Sequence, residues 1–287
     1  MEKEAQVRRI ESPSSINTYL QCPRKYFYSY ILKLPRKESI HTIRGKIIHS
    51  VLEDLFRVDI TKINEEQYYE ELRLILINLF NYHWQENIDI FLKLSLTKDK
   101  IKEYYNESLG MLNNYLYRFC LKVENELKTQ TFTQSFEKLK PKTEVQYFSE
   151  KHMVQGFIDA ITYKDQHVTL WDYKTSRRDV ISEEYYLQLS IYALLYYETH
   201  GVYPDQVGID FLKHTEKTLP VTKDMIEKAR ETIHKVHEKV KSDDIEEFPK
   251  HVSSLCKWNG GQCDFYDMCF GQKSLREFEK IHELKIN

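Results

Sequence analysis

The hydrophobic pattern of this chain changes period at Pro141, and that change limits the folds open to it. Upstream, over residues 65–127, apolar side chains recur at helical spacing: Leu72, Ile75 and Leu79, then Ile101, Tyr104, Tyr105, Leu112, Tyr115, Leu116 and Phe119. No strand signal, internal repeat or low-complexity run interrupts them. Downstream, 143–148, 153–162 and 167–174 are short, rich in β-branched and aromatic residues, and punctuated by Gly156 and Lys164-Asp165, which predicts three strands. A helix is predicted over 183–197, two strands over 206–214 and 217–221, and a helix over 223–241. Near the start, Ser12-Pro13-Ser14-Ser15 reads as a capped helix start with Pro in the first turn. A second helix is predicted over 43–57, with the apolar stripe Ile48, Val51, Leu52, Leu55 and Phe56. The order predicts an α/β fold, a mixed central sheet flanked by helices. Residues 59–140 form a large helical insertion in it, and 248–271 an irregular, Cys-rich tail.

Composition narrows the function. Eight Gly and seven Pro oppose a loop-rich all-β chain, and 30% charged with 41% apolar residues is globular. A net charge of −2 excludes a globally basic nucleic-acid binder, but 42 Lys and Arg leave room for a basic groove. No apolar run approaches the roughly 20 residues of a membrane helix, the longest candidate being 191–197. The start, MEKEAQVRRI, lacks the apolar stretch of a signal peptide, so the expected location is the cytoplasm, away from membranes.

The chemistry concentrates in Trp171-Asp172-Tyr173-Lys174-Thr175. Residues two apart on a strand share a face, so Asp172 and Lys174 project together. The preceding strand carries Asp159 in Gly156-Phe157-Ile158-Asp159-Ala160. A hairpin turning at Lys164-Asp165 brings Asp159 and Asp172 to similar offsets, close together. Two such carboxylates repel, and a hard cation such as Mg²⁺ resolves the conflict. On its own, D-x-K is read more economically as a surface ion pair. Three features add to it: His49 beside the apolar stripe with Glu53 one turn on, Gln188 and Tyr192 on one helix face, and Arg177-Arg178 where a phosphate backbone would pass. Singly, each has a bland explanation.

Taken in order, G-x-x-x-H (Gly45 to His49), G-x-I-D-A (Gly156 to Ala160), D-Y-K-T (Asp172 to Thr175) and Q-L-x-x-Y (Gln188 to Tyr192) resemble the RecB-type branch of the PD-(D/E)XK nucleases. The resemblance covers most of the chain outside the insertion. It implies a restriction-endonuclease-like core in one nuclease domain over 1–287. It implies Mg²⁺ or Mn²⁺ on His49, Asp159, Asp172 and the Tyr173 carbonyl, with Glu53 a lesser candidate. Asp159, Asp172 and Lys174 would be catalytic, and Gln188 and Tyr192 would lie beside the reacting groups. Arg177 and Arg178 are the candidate DNA contacts.

Cys22, Cys256, Cys263 and Cys269 could hold a tetrahedral Zn²⁺ or a [4Fe–4S] cluster, and spacing leaves both open. Cys120 stands alone in the insertion and reads as core. One group of RecB-like nucleases, with the AddB nuclease domain, the CRISPR-adaptation nucleases and the exonuclease V type, carries an iron–sulfur cluster on one Cys before the core and three after it. Cys22-Pro23-Arg24-Lys25-Tyr26 and the Cys263 to Cys269 spacing match that group; the six residues between Cys256 and Cys263 depart from it, and Gly260-Gly261 gives the longer loop a way to fold back. The expected function is a metal-dependent DNA nuclease, an exonuclease on single strands or free ends in repair, recombination or replication, with a helicase or recombination partner. The alternatives are a CRISPR-adaptation nuclease, a non-catalytic DNA-binding subunit of a helicase–nuclease complex, and a zinc-stapled structural protein.

Overall fold

The structure, a computed structural model, describes residues 9–94, 96–259, 261–272, 274 and 277. The charged run 1–8 and Gly260, both used in the sequence reading, lie outside the described residues. In chain order come α1 (Pro13–Gln21), α2 (Pro23–Tyr26), α3 (Ile40–Leu55), α4 (Tyr68–Glu86), α5 (Ile88–Lys93), α6 (Lys98–Glu126) and α7 (Phe132–Leu139). Then follow β1 (Lys142–Ser149), β2 (Val154–Lys164), β3 (His167–Lys174), α8 (Glu183–His200), β4 (Gln206–Phe211), β5 (Glu216–Pro220) and α9 (Lys223–Lys239). The tail carries β6 (Lys257–Trp258), β7 (Gly261–Gln262) and α10 (Tyr266–Cys269). The chain divides into two compact units, one of residues 38–147 and 157–223, the other of 1–37, 148–156 and 224–287.

The first unit is built on a five-stranded sheet of order β1-β2-β3-β4-β5. β2 and β3 run antiparallel, β3 and β4 parallel, and β4 and β5 antiparallel, so the sheet is mixed as the sequence predicts. The β2–β3 turn sits one residue later than expected. Lys164 pairs with His167, and Asp165 and Gln166 between them take positive φ values of 51° and 83°. Two left-handed residues in a two-residue loop match the strand twist, which is why such hairpins are tight. The register, Ala160 opposite Trp171, brings Asp159 level with Asp172 on the next rung.

The parallel step from β3 to β4 requires a crossover, and α8 supplies it. Ser182 caps α8 by accepting the Tyr185 N–H at 3.3 Å, and Gly201 ends it at φ 71°. The core of this unit joins the apolar stripes of α3, α4, α6 and α7 to Ala160, Tyr173 and Leu212. Cys120 is buried in it, as expected of a core thiol. The helical residues 59–140 thus share one core with α3 and the sheet.

In the second unit Ser12 and Ser15 form a reciprocal capping box at the start of α1, with Pro13 in the first turn. The chain breaks at Cys22, which is extended (φ −162°), and Pro23 restarts it as α2. Phe248 is fully buried beneath Tyr19, Tyr26 and Phe27, with ring centroids 6.4, 6.1 and 5.1 Å away. The tail is more ordered than expected. β6 and β7 pair, and the Cys263 N–H donates to the Cys256 carbonyl at 2.9 Å. Among the described residues, no helix is long and apolar enough to cross a membrane.

Candidate metal centre and active site

Strand ends and one helix face deliver the polar groups. α3 carries His49, β1 Glu144, β2 Asp159, β3 Asp172 to Lys174, and α8 Gln188 and Tyr192. His49 Nδ1 lies 3.3 Å from Asp159 Oδ1 and 3.9 Å from Glu144 Oε1. The His49 Nε2 edge meets the Tyr173 carbonyl at 3.2 Å. A carbonyl on one ring nitrogen makes it the N–H and frees the other as a lone-pair donor. Ligand atoms of His49, Glu144 and Asp159 all fall within 4.8 Å of one another, close enough to share one ion.

Glu144 was not singled out from the sequence. It sits in a strand yet has φ 49°, a conformation that L side chains other than Asn and Asp rarely adopt. Such local distortion re-aims a side chain, here onto Asp159 and His49. The available signal was an acid inside the first predicted strand; its backbone twist leaves no mark on the pattern.

Asp172 and Lys174 are interlocked. Lys174 Nζ stands 2.5 Å from Asp172 Oδ2, which is buried and receives no well-angled hydrogen bond. Gln188 ties the pair together: its amide N–H groups donate to Asp172 Oδ1 at 2.7 Å and the Tyr192 hydroxyl at 2.8 Å, while its carbonyl accepts from Lys174 at 3.2 Å. Asp159 Oδ2 accepts the Tyr173 N–H at 2.6 Å, joining the two strands at the site. The Tyr173 side chain points away and meets Tyr115, hydroxyl to hydroxyl, at 3.0 Å. Glu53 lines a cleft with Lys46, His49, Ser50 and Glu144 but is paired with Arg57.

The charges fit a cation. Burial works against the His49 cation, but Asp159 outweighs it and pushes the ring up to about 9. Burial and then Asp159 push Glu144 up to about 7. Burial raises Asp172 to about 6, with Lys174 opposing. Burial also works against the Lys174 ammonium, but Asp172 prevails and the pKa is raised. A metal ion requires neutral imidazole and ionised carboxylate, so raised values oppose it at low pH and yield as pH rises. Mn²⁺ affinity is therefore expected to strengthen by roughly tenfold per pH unit from about 6.5 to 8, with release of about one proton or more. Calorimetry in buffers of different ionisation enthalpy reads both; an affinity flat with pH removes His49 from the ligand set.

Arg177 and Arg178 lie exposed on the loop after β3, outside the metal group. In the second unit Cys22, Cys256, Cys263 and Cys269 line one small cavity with Lys25, His251 and Phe265. Burial, then Cys263 and Cys22, push the Cys269 thiol up to about 11. Among the described residues no three of these sulfurs lie within 4.8 Å of one another.

A family model described as the PD-(D/E)XK nuclease superfamily matches residues 11–270. A crystal structure of a "Putative exonuclease" from Eubacterium rectale is similar at 12% identity and a TM-score of 0.49, covering 96% of this chain and 95% of that one. No curated protein matches the sequence.

Proposed function

The chain belongs to the PD-(D/E)XK nuclease superfamily, and from that premise we propose that it is a Mg²⁺- or Mn²⁺-dependent deoxyribonuclease, an exonuclease on single-stranded DNA. The observation that carries this reading is the interlocked Asp172–Lys174–Gln188 group set against the His49–Glu144–Asp159 cluster.

His49, Glu144 and Asp159 would hold the ion, with Asp172 level with Asp159 on the next strand as a further oxygen donor, and it is these carboxylates that suit a hard cation. When bound, the ion lowers the pKa of water and neutralises charge growing on the scissile phosphate. The Tyr173 carbonyl fixes which His49 nitrogen is free. Lys174 stays protonated at neutral pH because its pKa is raised, so it serves as a donor to the developing oxyanion and not as the base. Gln188 holds Asp172 and Lys174 in one geometry. Burial keeps the Tyr192 hydroxyl neutral as the amide's second acceptor. Gln188→Ala is therefore expected to lower the hydrolysis rate by roughly 10- to 100-fold with the fold intact. A variant within a factor of two of the native rate would end that positioning role.

The four cysteines support a [4Fe–4S] cluster as the second metal site. The four side chains line one cavity, as a shared cluster requires, and Zn²⁺ on the same thiolates is the alternative that metal analysis separates. The decisive assay uses anaerobically purified protein with end-labelled single- and double-stranded DNA in Mg²⁺, Mn²⁺ or EDTA. Metal-dependent ladders from single-stranded ends, with a closed circular single strand left intact, are the expected result. Cutting of the circle would make the protein an endonuclease; binding without cutting in either metal would overturn the enzyme reading.

A further inference from the structure

Beside the metal cluster lies a second charged group that the proposed chemistry does not use. Arg44 on α3 is 3% exposed and pairs with Glu107 on α6. Lys213, just beyond β4, pairs with the other oxygen of the same carboxylate. Two cations thus share one acid. Glu107 is kept ionised: burial works against its charge, but Lys213 and Arg44 hold its pKa below the ordinary carboxylate value. Arg44 Nε is buried and has no hydrogen-bond partner. A buried guanidinium donor without a partner is costly, and one carboxylate undercompensates two cations.

A third cation adds to the surplus. Arg177 is exposed on the loop after β3. Its backbone is tied to the same group, since the Arg177 carbonyl meets Nε2 of His214, the neighbour of Lys213, at 2.9 Å. In keeping with this, His41 is held below its ordinary pKa by desolvation first, then by Arg44 and Arg177, with Glu107 opposing and Lys213 adding. The Tyr104 ring forms the floor, with Arg44 5.2 Å above its centroid and His41 edge-on at 5.5 Å.

The position relative to the metal cluster is fixed by backbone. Arg44 precedes His49 by five residues of α3, about 7.5 Å of rise and roughly 140° of turn, so the two leave different faces of one helix and Lys213 is the cation that reaches toward the site. Leu212, next to Lys213, donates its N–H to the Lys174 carbonyl at 3.0 Å. We propose that Arg44, Lys213 and Arg177 form a phosphate subsite for the nucleic-acid strand, flanking the position of the scissile phosphate, with Glu107 as the acid that holds Arg44 and Lys213 in place. The inference rests on the nuclease reading and deepens it. A guanidinium fork with an ammonium is the donor set that matches phosphate oxygens. A backbone contact of this kind registers the strand without reading its bases.

The test is equilibrium binding of short fluorescent single strands in EDTA, so that nothing is cut. Lys213→Ala and Arg177→Ala are compared with the native chain across a salt series. Each variant is expected to bind about 5- to 10-fold more weakly, and to lower the slope of log K against log salt by about 0.7 for the one phosphate lost. A single uncharged methylphosphonate is then walked along the strand. At one position the native protein is expected to lose affinity while Lys213→Ala loses no more. Strands ending in phosphate or hydroxyl distinguish a terminal monoester from an internal diester, and dependence on either supports the subsite. Unchanged slope and unchanged methylphosphonate profile in both variants overturn it, whatever happens to Tm. Arg177→Ala guards the test, because an exposed side chain carries no fold. Cleavage by the native chain in Mn²⁺ is scored separately: its absence sinks the nuclease reading, while the binding profile still decides the subsite.

Discussion

Lys174→Ala is expected to reduce metal-dependent DNA hydrolysis by at least 10²- to 10³-fold, because one preorganised donor to a developing oxyanion is worth that much. The expectation follows from where the ammonium sits. It is held 2.5 Å from Asp172 Oδ2 and accepted by the Gln188 carbonyl, so no reorganisation is needed when charge develops nearby. The substitution has a second effect. Lys174 is what opposes the burial-driven rise of the Asp172 pKa, so its loss moves that pKa above about 6. Mn²⁺ affinity at neutral pH should then weaken, and more so as pH falls. The two effects separate in one experiment. Rates at saturating Mn²⁺ and pH 8 read the donor role alone, and the metal titration reads the carboxylate. Residual activity within tenfold of native under those conditions would show that Lys174 does no chemistry. Asp159→Asn serves as the contrast. It removes the carboxylate shared by His49 Nδ1 and the Tyr173 N–H, so metal binding and strand geometry go together.

The Asp159–Asp172 pairing was legible because a hairpin is an exact constraint once its turn is placed. A loop at Lys164-Asp165 sets Asp159 opposite Leu170; the observed loop at Asp165-Gln166 moves the partner by two residues to Asp172, and a shift of two keeps every side chain on its face, so the two acids stay on one side of the sheet. Helical spacing put Gln188 and Tyr192 on one face, but only the resemblance to the nuclease motif marked them as site residues.

Glu144 and Arg44 were not, for different physical reasons. Glu144 reaches the site through a left-handed backbone step, which depends on tertiary packing and has no residue signature. Arg44 occupies the apolar face of α3 between Ile43 and Ile47, where a charge breaks the pattern visibly. Its explanation is Glu107, 63 residues away on another helix, and no local rule joins them. The Cys tail was read as irregular because two-residue strands lie below any period. What binds them is a backbone bond between two of the thiol residues themselves, Cys263 to Cys256.

Those thiols carry the second large effect. With the proposed [4Fe–4S] cluster in place, anaerobically purified protein is expected to be brown and Cys22→Ser to be colourless, with Tm lowered by on the order of 10 °C, since structural metal binding is folding free energy. The reasoning turns on sequence distance. Cys22 lies at the extended break between α1 and α2, more than two hundred residues from Cys256, so the cavity closes a very long loop. Metal-independent contacts already tie the same ends. Phe248 is buried under Tyr19, Tyr26 and Phe27, and Arg24 Nε donates to its carbonyl at 2.7 Å. The variant should therefore remain folded in the cold and fail on heating. Zinc in stoichiometric amount without colour would replace the cluster by a Zn²⁺ site. A native protein free of both iron and zinc, with Tm unmoved in Cys22→Ser, would leave the aromatic contacts as the whole fastening and end the metal reading of the cysteines. The sheet, with His49, Glu144, Asp159 and Asp172, belongs to the other compact unit. Activity in the cold should accordingly outlast the colour, and a variant that loses both together at low temperature would mean that the cluster supports the catalytic unit directly.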